Sequence, residues 1–154
     1  MVDALWYSPH PRMAAASRSS SRRRTVINTL MMVDDCRFER KMVKRLINKT
    51  GLVDRMLEFG MAEDAIHFLR APDCPKIDAL IIDINMPRMN GFEFLEEIAE
   101  DWPDHLKGSV VVILTSSECE ADVERAESYP VVRSFLRKPI GEAEIARLDT
   151  LVNS

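Results

Sequence analysis

The 154-residue chain has few cysteines and no long apolar run, and each shortage excludes a class of protein. Its three cysteines, Cys36, Cys74 and Cys119, have neither paired nor metal-like spacing. An odd count of this kind argues against a disulfide framework, so we expect free thiols in a reducing cytoplasm. No apolar stretch approaches the roughly 20 residues that a membrane-spanning helix needs, which argues against membrane insertion.

Acidic residues outnumber basic ones beyond the amino terminus. Residues 1–24 carry five arginines and one acid, a formal charge of +4, so the rest of the chain carries −8 within a total of −4. This tail is rich in Arg and Ser and has no apolar periodicity, and we predict that it is disordered. Ser21-Arg22-Arg23 superficially resembles a twin-arginine export signal, but the apolar run that follows is too short. An acidic body without a helix-turn-helix pattern predicts no specific nucleic-acid binding.

The remaining residues, 25–154, alternate between strand-like and helix-like apolar patterns. The patterns predict strands at 25–33, 53–59, 78–83, 110–115 and 132–137, and helices at 36–48, 62–70, 91–101, 117–128 and 142–152. This alternation predicts a single α/β domain with a doubly wound, five-stranded parallel sheet and helices on both faces. The ligand site of such a sheet lies beyond the carboxyl ends of its strands, where the strand order reverses.

The first predicted helix shows the helical period clearly. Its apolar residues recur at spacings of about 3.6 and predict the packed face, which contains Phe38, Met42, Val43, Leu46 and Ile47. Its basic residues fill the other positions, namely Arg37, Arg40, Lys41, Lys44 and Arg45. We therefore predict an amphipathic helix.

Reactive side chains follow most of the predicted strands. Asp34 and Asp35 follow the first strand, Asp83 ends the third, Thr115 ends the fourth, and Lys138 follows the fifth. Paired aspartates offer the hard oxygen ligands that Mg²⁺ prefers, with Mn²⁺ as an alternative. A carboxylate that ends a buried strand, such as Asp83, is costly without a cation or hydrogen bonds. The pattern predicts that Asp83 accepts a phosphoryl group, while Lys138 and Thr115 stabilise the phosphoryl oxygens.

Each of these residues also has a structural interpretation. Asp34 or Asp35, taken alone, is more often a helix N-cap than a metal ligand, and Asp35 could serve as both. Lys138 alone is more often a solvated side chain. The functional interpretation depends on finding all of them at the ends of neighbouring strands.

Four motifs together resemble the receiver domain of two-component response regulators of the stand-alone, chemotaxis type. They are Asp34-Asp35, the run D-x-N-M-P-x-M-N-G from Asp83 to Gly91, Leu114-Thr115-Ser116, and Phe135-x-x-Lys138-Pro139. The resemblance covers residues 25 to about 152. It leaves the first 24 residues as a separate tail and makes residues 25–154 a flavodoxin-like (βα)5 domain.

The resemblance implies a role for each motif. Asp83 would accept phosphate from a histidine kinase or a histidine phosphotransfer protein. The metal would be held by Asp34, Asp35, Asp83 and the backbone carbonyl of Asn85. The bond between Lys138 and Pro139 would be cis.

The resemblance also implies how the phosphorylated state is read and ended. Thr115 and Phe135 would form a switch pair, in which the hydroxyl moves to the phosphoryl group and the ring follows inward. Asn85 and Ser117 would tune dephosphorylation. A downstream protein would bind the face formed by the fourth helix, fifth strand and fifth helix, although residues 128–132 depart there from the small-residue step usual in the family.

The function that we expect is therefore a single-domain response regulator, a phosphoacceptor rather than an enzyme beyond self-catalysed phosphotransfer and slow autodephosphorylation. It would be a monomer or a phosphorylation-dependent dimer. A phosphorelay intermediate or a scaffold with a receiver fold remains an alternative. An aspartyl-nucleophile phosphatase is disfavoured because Asn85 stands where a second acid is required, and a Rossmann-type nucleotide binder because Asp34-Asp35-Cys36 is not a glycine-rich turn.

Overall fold

The computed structural model describes residues 5–6, 26–100, 104–116 and 120–154. Its six strands are β1 Leu5–Trp6, β2 Ile27–Val33, β3 Val53–Phe59, β4 Ala79–Asp83, β5 Val110–Thr115 and β6 Val132–Arg137. Its five α-helices are α1 Arg37–Thr50, α2 Ala62–Leu69, α3 Gly91–Ala99, α4 Glu120–Glu127 and α5 Glu142–Val152. A short 3₁₀ turn, Asp104–Leu106, precedes β5.

The six strands form one sheet in the order β1-β3-β2-β4-β5-β6. The strands from β2 to β6 are parallel, which confirms the predicted five-stranded parallel sheet. The sheet reverses its winding at β2, which pairs with β3 on one side and β4 on the other. The carboxyl ends of β2 and β4 therefore form the edge at which a ligand site is expected.

An antiparallel edge strand, β1, was not predicted. Leu5 and Trp6 pair with Glu58 and Leu57 of β3. Leu5 and Trp6 belong to the tail that the sequence predicts to be disordered, and that disorder stays a prediction. Residues 1–4 and 7–25 lie outside the described part of the chain.

Element boundaries agree closely with the sequence patterns. Three strands, β3, β5 and β6, and the last helix have the predicted bounds. Helix α1 runs two residues further than predicted, to Thr50, and is terminated by Gly51, whose φ of 67° is left-handed. Asn90 caps α3, with its side-chain oxygen accepting from the amide of Glu93. Ser117, where the fourth helix is predicted to begin, lies outside the described residues.

Both faces of the sheet are covered by helices. Residues alternate along each strand between two apolar clusters, as for Met31 and Val33 against Leu30 and Met32. One cluster includes residues of α2 and α3, and the other includes residues of α1 and α5. No helix among the residues that the structure describes is both long enough and apolar enough to cross a bilayer.

Two positions of α1 contradict the predicted helix faces. Phe38 was expected to pack inward but is 68% exposed. Arg40 was placed with the solvated basic residues but is only 9% exposed. The helical period finds a mean apolar direction, whereas Arg40 is buried because Glu58 lies opposite it on β3.

Candidate functional site

The first two acidic residues lie in the turn between β2 and α1. Asp34 is fully buried and Asp35 is exposed. The Asp34 amide continues the β2–β3 pairing by donating to the carbonyl of Phe59 at 3.0 Å. Its Oδ1 accepts from the amide of Cys36 at 2.9 Å, so Asp34 rather than Asp35 stabilises the start of the helix. The same carboxylate leaves Oδ2 facing the other acids.

Asp83 ends β4, the central strand, and is 3% exposed. The loop that follows it returns close to the strand, since the amide of Gly91 donates to the carbonyl of Ile84 at 3.0 Å. A Cβ atom at Gly91 would lie 2.6 Å from the backbone oxygen of Asp83 and 3.1 Å from the side chain of Ile82. Glycine is needed here because any side chain would displace the strand end that carries Asp83.

Lys138 joins the two buried acids. It follows β6, and its amide donates to the carbonyl of Thr115 at 2.9 Å. Its Nζ lies 3.1 Å from Oδ2 of Asp34 and 3.4 Å from Oδ1 of Asp83. Burial alone would lower the pKa of Lys138, but its contact with Asp34 and the charges of Asp34 and Asp83 raise that pKa. The peptide bond between Lys138 and Pro139 is cis, as the resemblance implies.

The charges at this edge of the sheet are not balanced. Carboxylate oxygens of Asp34, Asp35 and Asp83 lie within 4.8 Å of one another. Burial, and then the charge of Asp34, raises the pKa of Asp83 to about 7, although Lys138 opposes the shift. Without a further cation, Asp83 therefore keeps its proton well above the pH at which an exposed aspartate ionises.

The donor set fits a hard divalent cation. Oδ2 of Asp34 is buried and has the ammonium of Lys138 nearby but no well-aligned hydrogen bond. Two buried carboxylates and one exposed carboxylate bring their oxygen atoms close together. Mg²⁺ binds in this manner, through few protein carboxylates and several other oxygens.

The predicted switch pair lies on two neighbouring strands. Thr115 is the last residue of β5 and is 1% exposed. Phe135 of β6 pairs in register with Ile113, two residues before Thr115, and its ring is half-buried. Phe135 and Arg137 both line two surface cavities of about 300 and 260 Å³. Phe135 therefore lies between the strand end and the outer face of α4 and α5.

The structure brings together most, but not all, of the predicted site. Asn85 is exposed in the loop after Asp83. Ser117 lies outside the described residues, so its predicted role stays a prediction. Met86 is buried and Met89 packs partly against the core, which anchors the loop after β4.

A family model of the response regulator receiver domain matches residues 30–148. The chain belongs to this receiver-domain family. Both the resemblance read from the motifs and the flavodoxin-like fold are thereby confirmed.

Two curated relatives are similar to this chain over most of its length. The sensory/regulatory protein RpfC of Xanthomonas campestris pv. campestris is 29% identical over 155 residues, which cover 99% of this chain and 20% of that protein. The two-component response regulator ARR3 of Arabidopsis thaliana is 33% identical over 129 residues, which cover 77% of this chain and 53% of that protein. The receiver thus spans a fifth to about half of the length of these relatives.

A solved structure supports the same fold. The crystal structure of a two component response regulator from Cytophaga hutchinsonii matches with a TM-score of 0.75 at 24% identity, covering 84% of this chain and 99% of that chain. At this level of identity the similarity concerns the fold alone.

Sequence reasoning missed a second group of buried charges beside the site. Arg40 of α1 contacts the backbone of Asp34 and the side chain of Glu58, which is 4% exposed. Lys44 forms an ion pair with the same carboxylate. The sequence contains part of the signal, because Glu58 lies within the apolar strand β3 and a buried acid requires a basic partner. The neighbouring residues do not show which basic residue that partner is.

Proposed function

We propose that this receiver accepts a phosphoryl group on Asp83, in a reaction that depends on Mg²⁺ held by Asp34, Asp35, Asp83 and the backbone carbonyl of Asn85. The observation that carries the proposal is the convergence of three carboxylates and Lys138 at the carboxyl ends of β2, β4 and β6. A metal bound there would neutralise negative charge on Asp83 and on the incoming phosphoryl group. Mn²⁺ has the same ligand preferences and would substitute.

The chemistry assigned to the side chains is a single displacement. A carboxylate oxygen of Asp83 forms a bond to phosphorus as the phosphorus–nitrogen bond of a phosphohistidine breaks, and the histidine nitrogen keeps the electron pair. Lys138 is within reach of a phosphoryl oxygen, because its ammonium already lies 3.4 Å from Asp83. The Thr115 hydroxyl donates to another oxygen. Positioning and electrostatics suffice for this transfer, so the domain needs no separate general base.

The donor is a histidine kinase or a histidine phosphotransfer protein, and the product is read on the face formed by α4, β6 and α5. Phe135 supports this assignment, since its half-buried ring lies beside cavities that an inward rotation would remodel. Thr115 would couple that rotation to the phosphoryl group. Asn85 and Ser117 would set the lifetime of the phosphorylated state. The phosphate adds roughly −1.5 to −2 charges to a site that is already acidic.

The test is phosphorylation by acetyl phosphate with Mg²⁺, followed by intact-mass spectrometry. The wild-type protein should gain one hydroxylamine-labile phosphoryl group, and Asp83→Asn should gain none. Asp78→Asn is the matched control, because Asp78 immediately precedes the amino end of the same strand, where it accepts from the amide of Thr29 at 2.9 Å. An adduct retained in Asp83→Asn, or a wild-type protein that gains none, contradicts the proposal.

A further inference from the structure

The guanidinium of Arg40 connects Asp34, in the candidate metal site, to Glu58 on the neighbouring strand β3. Its Nη1 donates to the backbone carbonyl of Asp34 at 2.6 Å, and its Nε donates to Oε1 of Glu58 at 3.3 Å. Both hydrogen bonds are buried. Arg40 lies six positions after Asp34 and eighteen before Glu58, so the link ties the start of α1 to β3.

The surroundings of Arg40 are fitted to a guanidinium. Glu58 is 4% exposed and also forms an ion pair with Lys44 at 2.5 Å, so its charge is compensated on both oxygens. A Cβ atom at Gly60 would lie 3.2 Å from Nη1 of Arg40, which is tighter than ordinary van der Waals contact. Gly60 therefore leaves room for the planar group. A planar fork can serve two acceptors at once, which the single ammonium of a lysine does less well.

Three of the four polar atoms of Asp34 have a hydrogen-bond partner. Its amide donates to Phe59, its carbonyl accepts from Arg40, and its Oδ1 accepts from the amide of Cys36. Oδ2 is the atom left for the acidic group, where it faces Lys138. Loss of the Arg40 bond would leave a buried carbonyl without its partner and free the residue to rotate out of this arrangement.

We propose that Arg40 is a positioning residue for the metal-binding carboxylate of Asp34, acting through the Asp34 carbonyl and anchored by Glu58. The inference rests on the proposed function, because it requires that Asp34 binds Mg²⁺. Residues that orient metal ligands commonly contribute about 10- to 100-fold to metal affinity. Arg40 itself touches neither the phosphoryl group nor the metal.

A purely electrostatic role for Arg40 predicts the opposite sign. A positive charge near a cation site repels the cation, so its removal would tighten Mg²⁺ binding. Positioning predicts that its removal weakens binding. The direction of the change therefore decides between the two roles before its size is considered.

The experiment titrates Mg²⁺ alone into the metal-free, full-length protein by isothermal titration calorimetry. Arg40→Met should weaken Mg²⁺ binding by about 10-fold or more. Arg40→Lys keeps the charge but not the fork, so it should recover only part of that loss. Glu58→Gln keeps an acceptor for Nε and should stay within about 2-fold of wild type, whereas Glu58→Ala should follow Arg40→Met.

A second readout requires no metal. Amide hydrogen exchange at Asp34 and Cys36, measured by NMR on the metal-free protein, should become faster in Arg40→Met. Ile47→Ala is the stability control, since Ile47 is buried near the carboxyl end of the same helix, whereas Asp34 precedes its amino end. It should lower the melting temperature while leaving Mg²⁺ affinity and the exchange at Asp34 near wild type.

The outcomes separate the inference from the function on which it rests. Wild-type Mg²⁺ affinity in Arg40→Met, or a tighter affinity, overturns the positioning role and leaves the phosphoacceptor proposal intact. Equal weakening by Arg40→Met and Ile47→Ala also overturns it, because general destabilisation would then explain the loss. A wild-type protein that binds no Mg²⁺ overturns the metal site itself, and the inference with it.

Discussion

Two groups of buried charge meet at Asp34, and they are balanced differently. On the side of the strand ends, carboxylates of Asp34, Asp35 and Asp83 converge around the ammonium of Lys138. On the other side, a single carboxylate, Glu58, faces two cations, Arg40 and Lys44. The first group has an excess of negative charge, and the second has an excess of positive charge.

The difference separates a site that is poised to bind from a network that supports it. Burial, and then the charge of Asp34, raises the pKa of Asp83, so a cation would complete the group. In the Glu58 group both carboxylate oxygens already have cationic partners. An acidic group with excess negative charge beside a carboxylate paired with two cations is what a binding site held by a rigid scaffold requires.

The largest effect is expected from Glu58→Ala. This change leaves Arg40 buried without its carboxylate, and breaking a buried pair in this way costs about 3–5 kcal/mol. Urea denaturation at neutral pH measures the free energy of unfolding. Glu97→Ala is the comparison variant, because it removes the acid of an exposed pair with Arg70 that has the same 3.3 Å separation. Equal destabilisation by the two variants would show that the Glu58 network is no more important than a surface pair.

A smaller, pH-dependent effect is expected at the acidic group. Asp83 in the folded, metal-free protein keeps its proton up to a pKa of about 7, whereas in the unfolded chain it ionises near 3.8. Between these two pH values the folded protein holds a proton on Asp83 that the unfolded chain has released. The free energy of unfolding therefore falls as the pH rises from about 4 to about 7. Asp83→Asn should consequently become more stable than wild type, by on the order of 2 kcal/mol above pH 7 and by little at pH 4.

Denaturation curves of wild type and Asp83→Asn at several pH values, without divalent metal, measure this difference. Saturating Mg²⁺ should raise the stability of wild type at pH 8 more than that of Asp83→Asn, since metal binding favours the ionised carboxylate. A stability difference between the two proteins that does not change with pH would show that folding does not raise the pKa of Asp83.

The smallest effect is expected from Lys44→Met. Lys44 is 31% exposed in its side chain, so solvent already screens its pairing with Glu58. Partly exposed pairs contribute about 1 kcal/mol or less. Unfolding free energies of Lys44→Met and Arg40→Met measure the ranking within the network. A larger loss in Lys44→Met would make Lys44, rather than Arg40, the principal partner of Glu58.

The residues at strand ends could be predicted because apolar runs identify the strands. The run before Asp83 and the run before Asp34 each end in a carboxylate, and parallel crossovers bring such ends to one edge of the sheet. Lys138 was located by the same reasoning and lies between the two acids. Only the contacts themselves, such as Asp34 rather than Asp35 at the start of α1, needed the structure.

Helix α1 was predicted less well, for a definite reason. A helical period gives the mean direction of apolar residues, so Phe38 was expected inside and Arg40 outside. Whether one position is buried depends on what the sheet places opposite it, and here that is Glu58 for Arg40. The pairing of Leu5 and Trp6 with β3 was missed because two residues have no detectable period.

The sequence by itself determined the order of strands and helices, the parallel sheet and the set of acids and one lysine at its edge, because local apolar patterns and right-handed crossovers leave few alternatives. Only the tertiary structure decided which charges are buried and which partners hold them. Arg40 and Glu58 are eighteen residues apart, and their pairing exists only once α1 has packed against β3. Whether a charged side chain can be buried depends on the opposite charge that the fold places beside it, and a local sequence pattern does not contain that information.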